Sequence, residues 1–294
     1  MFVGYSEFYM ITILHAKDDL SKHLRALKNK GETIGFVPTM GALHAGHLSL
    51  MEEAMSLSTT LVVSIFVNPT QFNNQNDLEK YPRDVSKDAS IIQERLGSKN
   101  ICIYAPSVED VYGSQVSAKK YTYDGLENVM EGANRPGHFD GVGTILEFLF
   151  KLIKPDVSIF GEKDFQQLQI VKKLVKKLKL PIKIKGAAIH REPNMLAMSS
   201  RNERLSKAAR TQAGFIYKSL ELAKSHFKVH SVLQTEKYIE KLYAAQQDIT
   251  LEYFTIADEK TLKTVTRKSK DRTCRAFIVV HIEGVRLIDN MKLD

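Results

Sequence analysis

The chain has 294 residues, 43% of them hydrophobic, enough for one large domain and a smaller companion. It contains no run of about 18 uncharged apolar residues, and its N-terminus lacks the basic start and apolar stretch of a secretory signal. These features exclude a membrane-spanning helix and predict a cytoplasmic protein. The formal charge of +8 admits nucleic acid, a membrane surface or small anionic substrates as partners.

Residues Met1 to Tyr9 precede any regular pattern and are expected to be a dispensable extension. Helices are predicted over Asp18 to Lys28, Gly46 to Ser56, Asp84 to Leu96, Gly141 to Ile153 and Phe165 to Leu178. Between them lie strands over Ile34 to Val37, Leu61 to Val67, Ile101 to Tyr104, Val157 to Phe160 and Ile182 to Ile189. Nearly all these strands are continuously apolar, the mark of a parallel sheet covered on both faces, so the predicted fold is a doubly wound α/β sheet. The densest basic stretch, Lys172 to Lys179, interleaves its lysines with Val171, Leu174, Val175 and Leu178 at helical spacing. It reads as a solvated helix face rather than a nucleic-acid patch. Cys102 and Cys274 each sit in a β-like stretch and are expected to be reduced core thiols, neither a disulfide nor a metal site.

Near His190 the rhythm changes. A polar loop leads to two helical stretches, Lys207 to Phe227 and Ser231 to Ala245, and then to β-like segments at Leu251 to Ile256, Ala276 to Ile282 and Val285 to Ile288. The predicted domains are therefore residues 1–189, nucleotide-binding and catalytic, and residues 190–294, a smaller α+β domain.

The strand at Ile34 to Val37 runs through Pro38, Thr39, Met40, Gly41, Ala42 and Leu43 into His44-Ala45-Gly46-His47 and an apolar helix. Strand, tight turn and helix N-terminus make a phosphate site, where Gly41 and Gly46 allow close backbone approach and unpaired N–H groups meet an anion. His44 and His47 then donate to phosphate oxygens, or merely cap the helix; the spacing and the lack of an adjacent glutamate disfavour a metal. Asn68, Pro69 and Gln71 follow the next strand at its carboxyl end, where ligands of such sheets bind. Gly161, Lys163 and Asp164 again place a glycine and a lysine between strand and helix, with Gln167 one helical turn beyond the strand. Ser199, Ser200 and Arg201 read either as a grip for phosphates or as a loop with a helix cap.

The histidine stretch resembles the signature shared by nucleotidyltransferases and class I aminoacyl-tRNA synthetases. Further segments resemble the pantothenate synthetase family in order and spacing: 37–41, 66–72, Tyr81-Pro82-Arg83, 135–139, 161–167 and 198–202. The resemblance runs from about Ile11 to Asn290. It implies a Rossmann-like sheet and the ATP-dependent joining of pantoate to β-alanine through a pantoyl adenylate, with release of pyrophosphate and AMP. It assigns ATP to Met40, Gly41, His44, Gly46, His47, Gly161, Lys163, Asp164, His190, Met198, Ser199, Ser200 and Arg201. Catalysis falls to His44, His47 and Lys163, with His47 also a candidate for proton transfer. Pantoate falls to Gln71 and Gln167, and β-alanine to Gln71. Mg²⁺ would ride on the phosphates of ATP. Residues 199–201 resemble the mobile Lys-Met-Ser-Lys-Ser element of related enzymes, and the loop from His190 to Arg204 with the smaller domain is the expected cover against water. A homodimer is implied, with no nucleic-acid or membrane partner. Arg135 and His138 either line the site or form a structural turn.

The chain departs from the family at three places: Asn194-Met195 where Asp-Gly is usual, His190 where a small apolar residue is usual, and Tyr112-Gly113 in a loop read as distant from the chemistry. Two rival readings stay open. Another nucleotidyltransferase with a phosphorylated acceptor would need Arg or Lys where Gln71 and Gln167 stand, and an RNA-binding protein would need a basic, aromatic stripe that is not seen.

Overall fold

Six strands form the first sheet: β1 (Thr12–Leu14), β2 (Ile34–Thr39), β3 (Thr60–Ile65), β4 (Ile101–Tyr104), β5 (Val157–Gly161) and β6 (Lys183–Ala187). The structure, a computed structural model, describes residues 11–72, 78–79, 81, 83–97 and 100–294; Met1 to Tyr9 and Pro82 lie outside them. Strand order is β1-β4-β3-β2-β5-β6, and the pairs β1/β4, β4/β3, β3/β2 and β2/β5 are parallel. Order reverses between β2 and β5, so the switch point where such sheets bind ligands lies at the carboxyl end of β2.

The strands are continuously apolar because both faces are covered. Val37, Leu61, Val63, Ile65, Ile101 and Ile103 share one cluster with Leu48, Met51 and Ala54 of α2 (Ala45–Leu57) and with Ala89 and Ile92 of α3 (Val85–Leu96). On the other face, Phe36 meets Phe150 edge to face at 6.2 Å. Each such fully buried side chain contributes roughly 1.5–3 kcal/mol. Strand β1, not anticipated from sequence, is three residues long and pairs with β4 some ninety positions later.

Contacts divide the chain into two compact units. The first holds residues 1–121, 136–160 and 171–187, and the second 122–135, 161–170 and 188–294. A cut of the chain at residue 190 did not anticipate that 122–135 and 161–170 pack with the C-terminal residues. The second unit carries an antiparallel sheet of β7 (Thr250–Asp258), β8 (Cys274–Ile282) and β9 (Val285–Lys292). Glu283 and Gly284, at φ 48° and 71°, form the two-residue turn between β8 and β9. The single helix expected from Lys207 to Phe227 is two, Lys207–Gln212 and Phe215–Val229. At the break Asn194 Nδ2 donates to the Arg210 carbonyl at 2.7 Å, so that Gly214 N donates to the Thr211 carbonyl instead, and glycine is needed there because a Cβ would come within 2.6 Å of the Asn194 carbonyl oxygen. Cys102 and Cys274 are free and buried. Among the described residues no helix is long and apolar enough to cross a membrane.

Candidate active site

The turn leaving β2 is built by backbone that most residues avoid. Gly41 has φ 81° and Ala42 φ 52°, two left-handed residues in succession. The N–H of Gly41 donates to Thr39 Oγ1, which donates to the Ser64 carbonyl. The N–H groups of Ala42 and Leu43 donate to the two oxygens of Asp88, at 3.1 and 2.8 Å. Asp88 is 3% exposed, and burial pushes its carboxyl above the ordinary range while the hydrogen bonds from Leu43 and Ala42 oppose this. A Cβ on Gly41 would sit 2.8 Å from Asp88 Oδ2, so glycine is needed for space as well as for φ.

His44 is the N-cap of α2, and the capping reading of the histidine pair is realised. The Nδ1 of His44 accepts the N–H of Gly46 at 3.1 Å, and the Nδ1 of His47 accepts the N–H of His44 at 3.3 Å, a reciprocal capping box. An Nδ1 that accepts an N–H carries no proton, so the neutral rings hold theirs on Nε2. The rings lie 4.1 Å apart, giving two imidazole donors side by side. The expectation of unpaired helix N–H groups is thereby revised. Those of Gly46 and His47 go to the His44 side chain and carbonyl, so the donors suited to an anion are Nε2–H groups.

After β3 the chain enters a short 3-10 turn, Pro69–Gln71. Asn68, 1% exposed, donates to Gln71 Oε1 and to the Gly141 carbonyl, both at 3.1 Å. Its Oδ1 accepts from the Tyr112 hydroxyl at 2.5 Å and lies 3.1 Å from Thr70 Oγ1, whose single proton goes either there or to the Tyr112 oxygen 2.9 Å away. Gln71 Nε2 lies 3.0 Å from the sulfur of Met40, so the structure brings Gln71 beside the turn that carries His44 and His47. His138 Nδ1 donates to the Gln71 carbonyl at 2.9 Å, which makes His138 a support of this turn. Gly141 permits the approach of helix α6 (His138–Ile153; α4 and α5 are Val108–Tyr112 and Met130–Asn134), since a Cβ there would lie 2.4 Å from the Thr70 carbonyl oxygen. Tyr112, read from sequence as distant from the chemistry, is instead bonded to both Asn68 and Thr70; the fold returns α4 to the end of β3. Tyr81 packs edge to face on Phe72, and Arg83 donates to the Leu78 carbonyl.

The other predicted residues belong to the second unit. Lys163 Nζ stands 3.8 Å from Asp164, with side chains 19% and 51% exposed, in a 3-10 turn that follows Gly161. Gly161, at φ −72°, adopts a conformation open to any residue. Of the two adjacent glutamines, Gln166 is 5% exposed and structural, donating to the Leu126 and Val129 carbonyls and accepting from Glu131 N. Gln167 is half-buried, on the first turn of the helix Phe165–Lys177. Residues 190–198 form a small hairpin, with Met198 N donating to the His190 carbonyl and Glu192 N to that of Leu196. His190 is exposed. At the hairpin tip the turn survives the loss of a usual glycine. Met195 takes φ 71° and its N–H donates to the Glu192 carbonyl, while Asn194 Oδ1 accepts from Leu196 N. Ser199 caps the 3-10 turn Ser200–Arg204 by accepting from Arg201 N, so the bland cap is realised, with Arg201 exposed beyond it.

Sequence reasoning missed Asp88, Tyr112, Asp289 and Asn290. Asp88 left a signal, since it lies on the apolar stripe Val85, Ala89, Ile92 of α3, where a carboxylate must find donors. Asp289 continues the buried alternation of Val285 and Leu287 along β9.

Residues 12–292 match the family model described as pantoate-beta-alanine ligase. Pantothenate synthetase of Flavobacterium psychrophilum is 52% identical over 281 residues, covering 96% of this chain and 99% of that one. That of Christiangramia forsetii is 47% identical with the same coverage. Pantothenate synthetase from Thermus thermophilus superposes with a TM-score of 0.87 at 34% identity, covering 96% of this chain and 99% of that one. Pantoate-beta-alanine ligase from Francisella tularensis, complexed with beta-gamma ATP and beta-alanine, gives 0.76 at 32% identity, covering 96% and 98%. The supported turn after β2, the capped histidine pair and these matches over nearly the whole length lead to one conclusion: this chain belongs to the pantoate–β-alanine ligase family.

Proposed function

We propose that the chain condenses pantoate with β-alanine at the expense of ATP, through a pantoyl adenylate. The observation that carries the reading is the histidine pair, whose capping bonds hold a proton on each Nε2. In the first step a pantoate carboxylate oxygen attacks the α-phosphorus of ATP, and the bond to pyrophosphate breaks. His44 and His47 donate to the phosphate oxygens as charge rises there, and Lys163, Ser199, Ser200 and Arg201 hold the triphosphate. Met40, Gly41, Gly46, Gly161, Asp164, His190 and Met198 complete the assignment to ATP. In the second step the free amine of β-alanine attacks the acyl carbon of the mixed anhydride, the C–O bond to the phosphate breaks, and AMP leaves as the amine proton passes to solvent. Because Nδ1 of His47 is occupied by a backbone N–H, we assign His47 to hydrogen-bond donation rather than to removal of the amine proton. The amide of Gln71 is assigned to pantoate and β-alanine, and that of Gln167 to pantoate.

Magnesium would be held mainly by the phosphates of ATP, where it would supply charge neutralisation for the departing pyrophosphate. Among the described residues no group of three or more histidine, cysteine or acidic side chains is placed to hold a metal ion. The part of the chain at 190–294, with the loop 190–204, is assigned the exclusion of water from the adenylate. A cytoplasmic homodimer belongs to the same proposal, and light scattering of the purified protein tests the dimer.

The deciding experiment measures AMP release from ATP with Mg²⁺, pantoate and β-alanine, each omitted in turn, beside a His47→Ala variant. AMP and pantothenate formed only in the complete mixture, and lost in the variant, support the reading. A folded protein that releases no AMP overturns it.

A further inference from the structure

Strand β9 carries two adjacent polar residues that the proposed chemistry does not use, Asp289 and Asn290, 3% and 2% exposed. Burying such groups is costly unless their bonds are made, and here they are. Asp289 takes the Arg191 guanidinium in a fork, at 2.7 Å to Nη1 and 3.0 Å to Nη2. Arg191 also donates to the Met195 carbonyl and lies 4.4 Å over the Tyr217 ring, so the hairpin leading to Ser199–Arg201 is clamped at its base. Asn290 spends both amide protons on successive carbonyls, those of Glu162 and Lys163, each at 2.9 Å. Its Oδ1 accepts from Arg275 Nη1 at 2.6 Å, which sets the amide orientation, since a guanidinium can only donate. Arg275 is itself held by Glu259 at 2.7 Å and by the Phe165 ring at 3.9 Å.

We propose that Asp289-Asn290 is a positioning element that holds the Lys163 turn and the 190–198 hairpin in fixed relation within the second unit. The inference rests on the assignment of Lys163 and residues 199–201 to ATP. A lysine has four rotatable bonds, so precision at its ammonium must come from the backbone beneath it, and a misplacement of about 1 Å costs about 10²-fold in rate. One dipeptide supplies that precision to two elements.

The test is a double-mutant cycle read on ATP affinity by calorimetry and on kcat/KM for ATP. Asn290→Ala is expected to lower kcat/KM for ATP by about 10²-fold, with the KM for pantoate changed less than about twofold. In a Lys163→Ala background its further effect should shrink to less than about twofold, because the group it positions is gone. A residue that merely stabilises the fold would lower the melting temperature and act equally in both backgrounds. Asp289→Asn, which acts through the hairpin and also removes a charge that Lys163 senses, should weaken ATP binding in both backgrounds, with a larger factor when Lys163 is present. Should Asn290→Ala fail to fold, Asn290→Ser keeps a donor to one carbonyl and should give a smaller loss with the same dependence on Lys163. Full additivity of Asn290 and Lys163 substitutions, or unchanged ATP affinity in the Asn290 variants, overturns the inference while the ligase reading stands. A wild-type protein that binds ATP but makes no pantothenate overturns the ligase reading, and the cycle on ATP affinity still decides the inference.

Discussion

Asp88→Asn isolates the support beneath the histidine turn. In the native protein the two carboxylate oxygens each accept one backbone N–H, from Ala42 and Leu43. Asparagine can accept only one of these and turns its NH₂ toward the other, leaving a buried donor facing a donor, at about 1–3 kcal/mol. Against this, the amide spares the desolvation that raises the native carboxyl, so the net loss near neutral pH is expected at about 1–2 kcal/mol. The sign of the pH dependence follows from linkage. A carboxyl raised in the folded state contributes most below its unfolded value and loses that contribution as pH rises through the folded value. The wild-type advantage over Asp88→Asn should therefore be larger near pH 4 than at pH 7. Denaturant titrations of both proteins at several pH values measure this. The turn carries His44 and His47, so kcat/KM for ATP should also fall by about 10- to 100-fold. Unchanged stability and unchanged kinetics in a folded variant would refute the role given to Asp88.

Met195→Gly should stabilise the protein by about 0.5–1 kcal/mol in denaturant titration, because an exposed methionine is held at φ 71° where glycine is unstrained. Gly141→Ala should cost about 2 kcal/mol or more and raise the KM for pantoate at least about tenfold, since its Cβ would displace the Thr70 carbonyl that precedes Gln71. Tyr112→Phe removes a hydroxyl shared with Asn68 and Thr70; a loss of about 1 kcal/mol and a severalfold rise in the KM for pantoate, with the KM for ATP unchanged, are expected by steady-state kinetics.

What the sequence determined by itself was whatever depends on neighbours a few positions away. The apolar run Ile101 to Tyr104 is a strand at the expected bounds, and Phe165–Lys177 is the amphipathic helix read from its lysine spacing, with Val171, Leu174 and Val175 buried. His44-Ala45-Gly46-His47 announced a helix start with two ring donors, because capping is a bond between residues two or three apart. Only the tertiary structure could decide what depends on distant partners. The strand Thr12–Leu14 exists because β4 offers it an edge, and the helix after Ser206 breaks before Phe215, where the Asn194 amide donates to the Arg210 carbonyl. Tyr112 became a support of Gln71, and Asn290 a support of Lys163, through contacts 44 and 127 residues apart in the chain. A hydrogen bond needs atoms within about 3 Å in a narrow range of angles, and no local pattern of residues encodes which remote group will meet that condition.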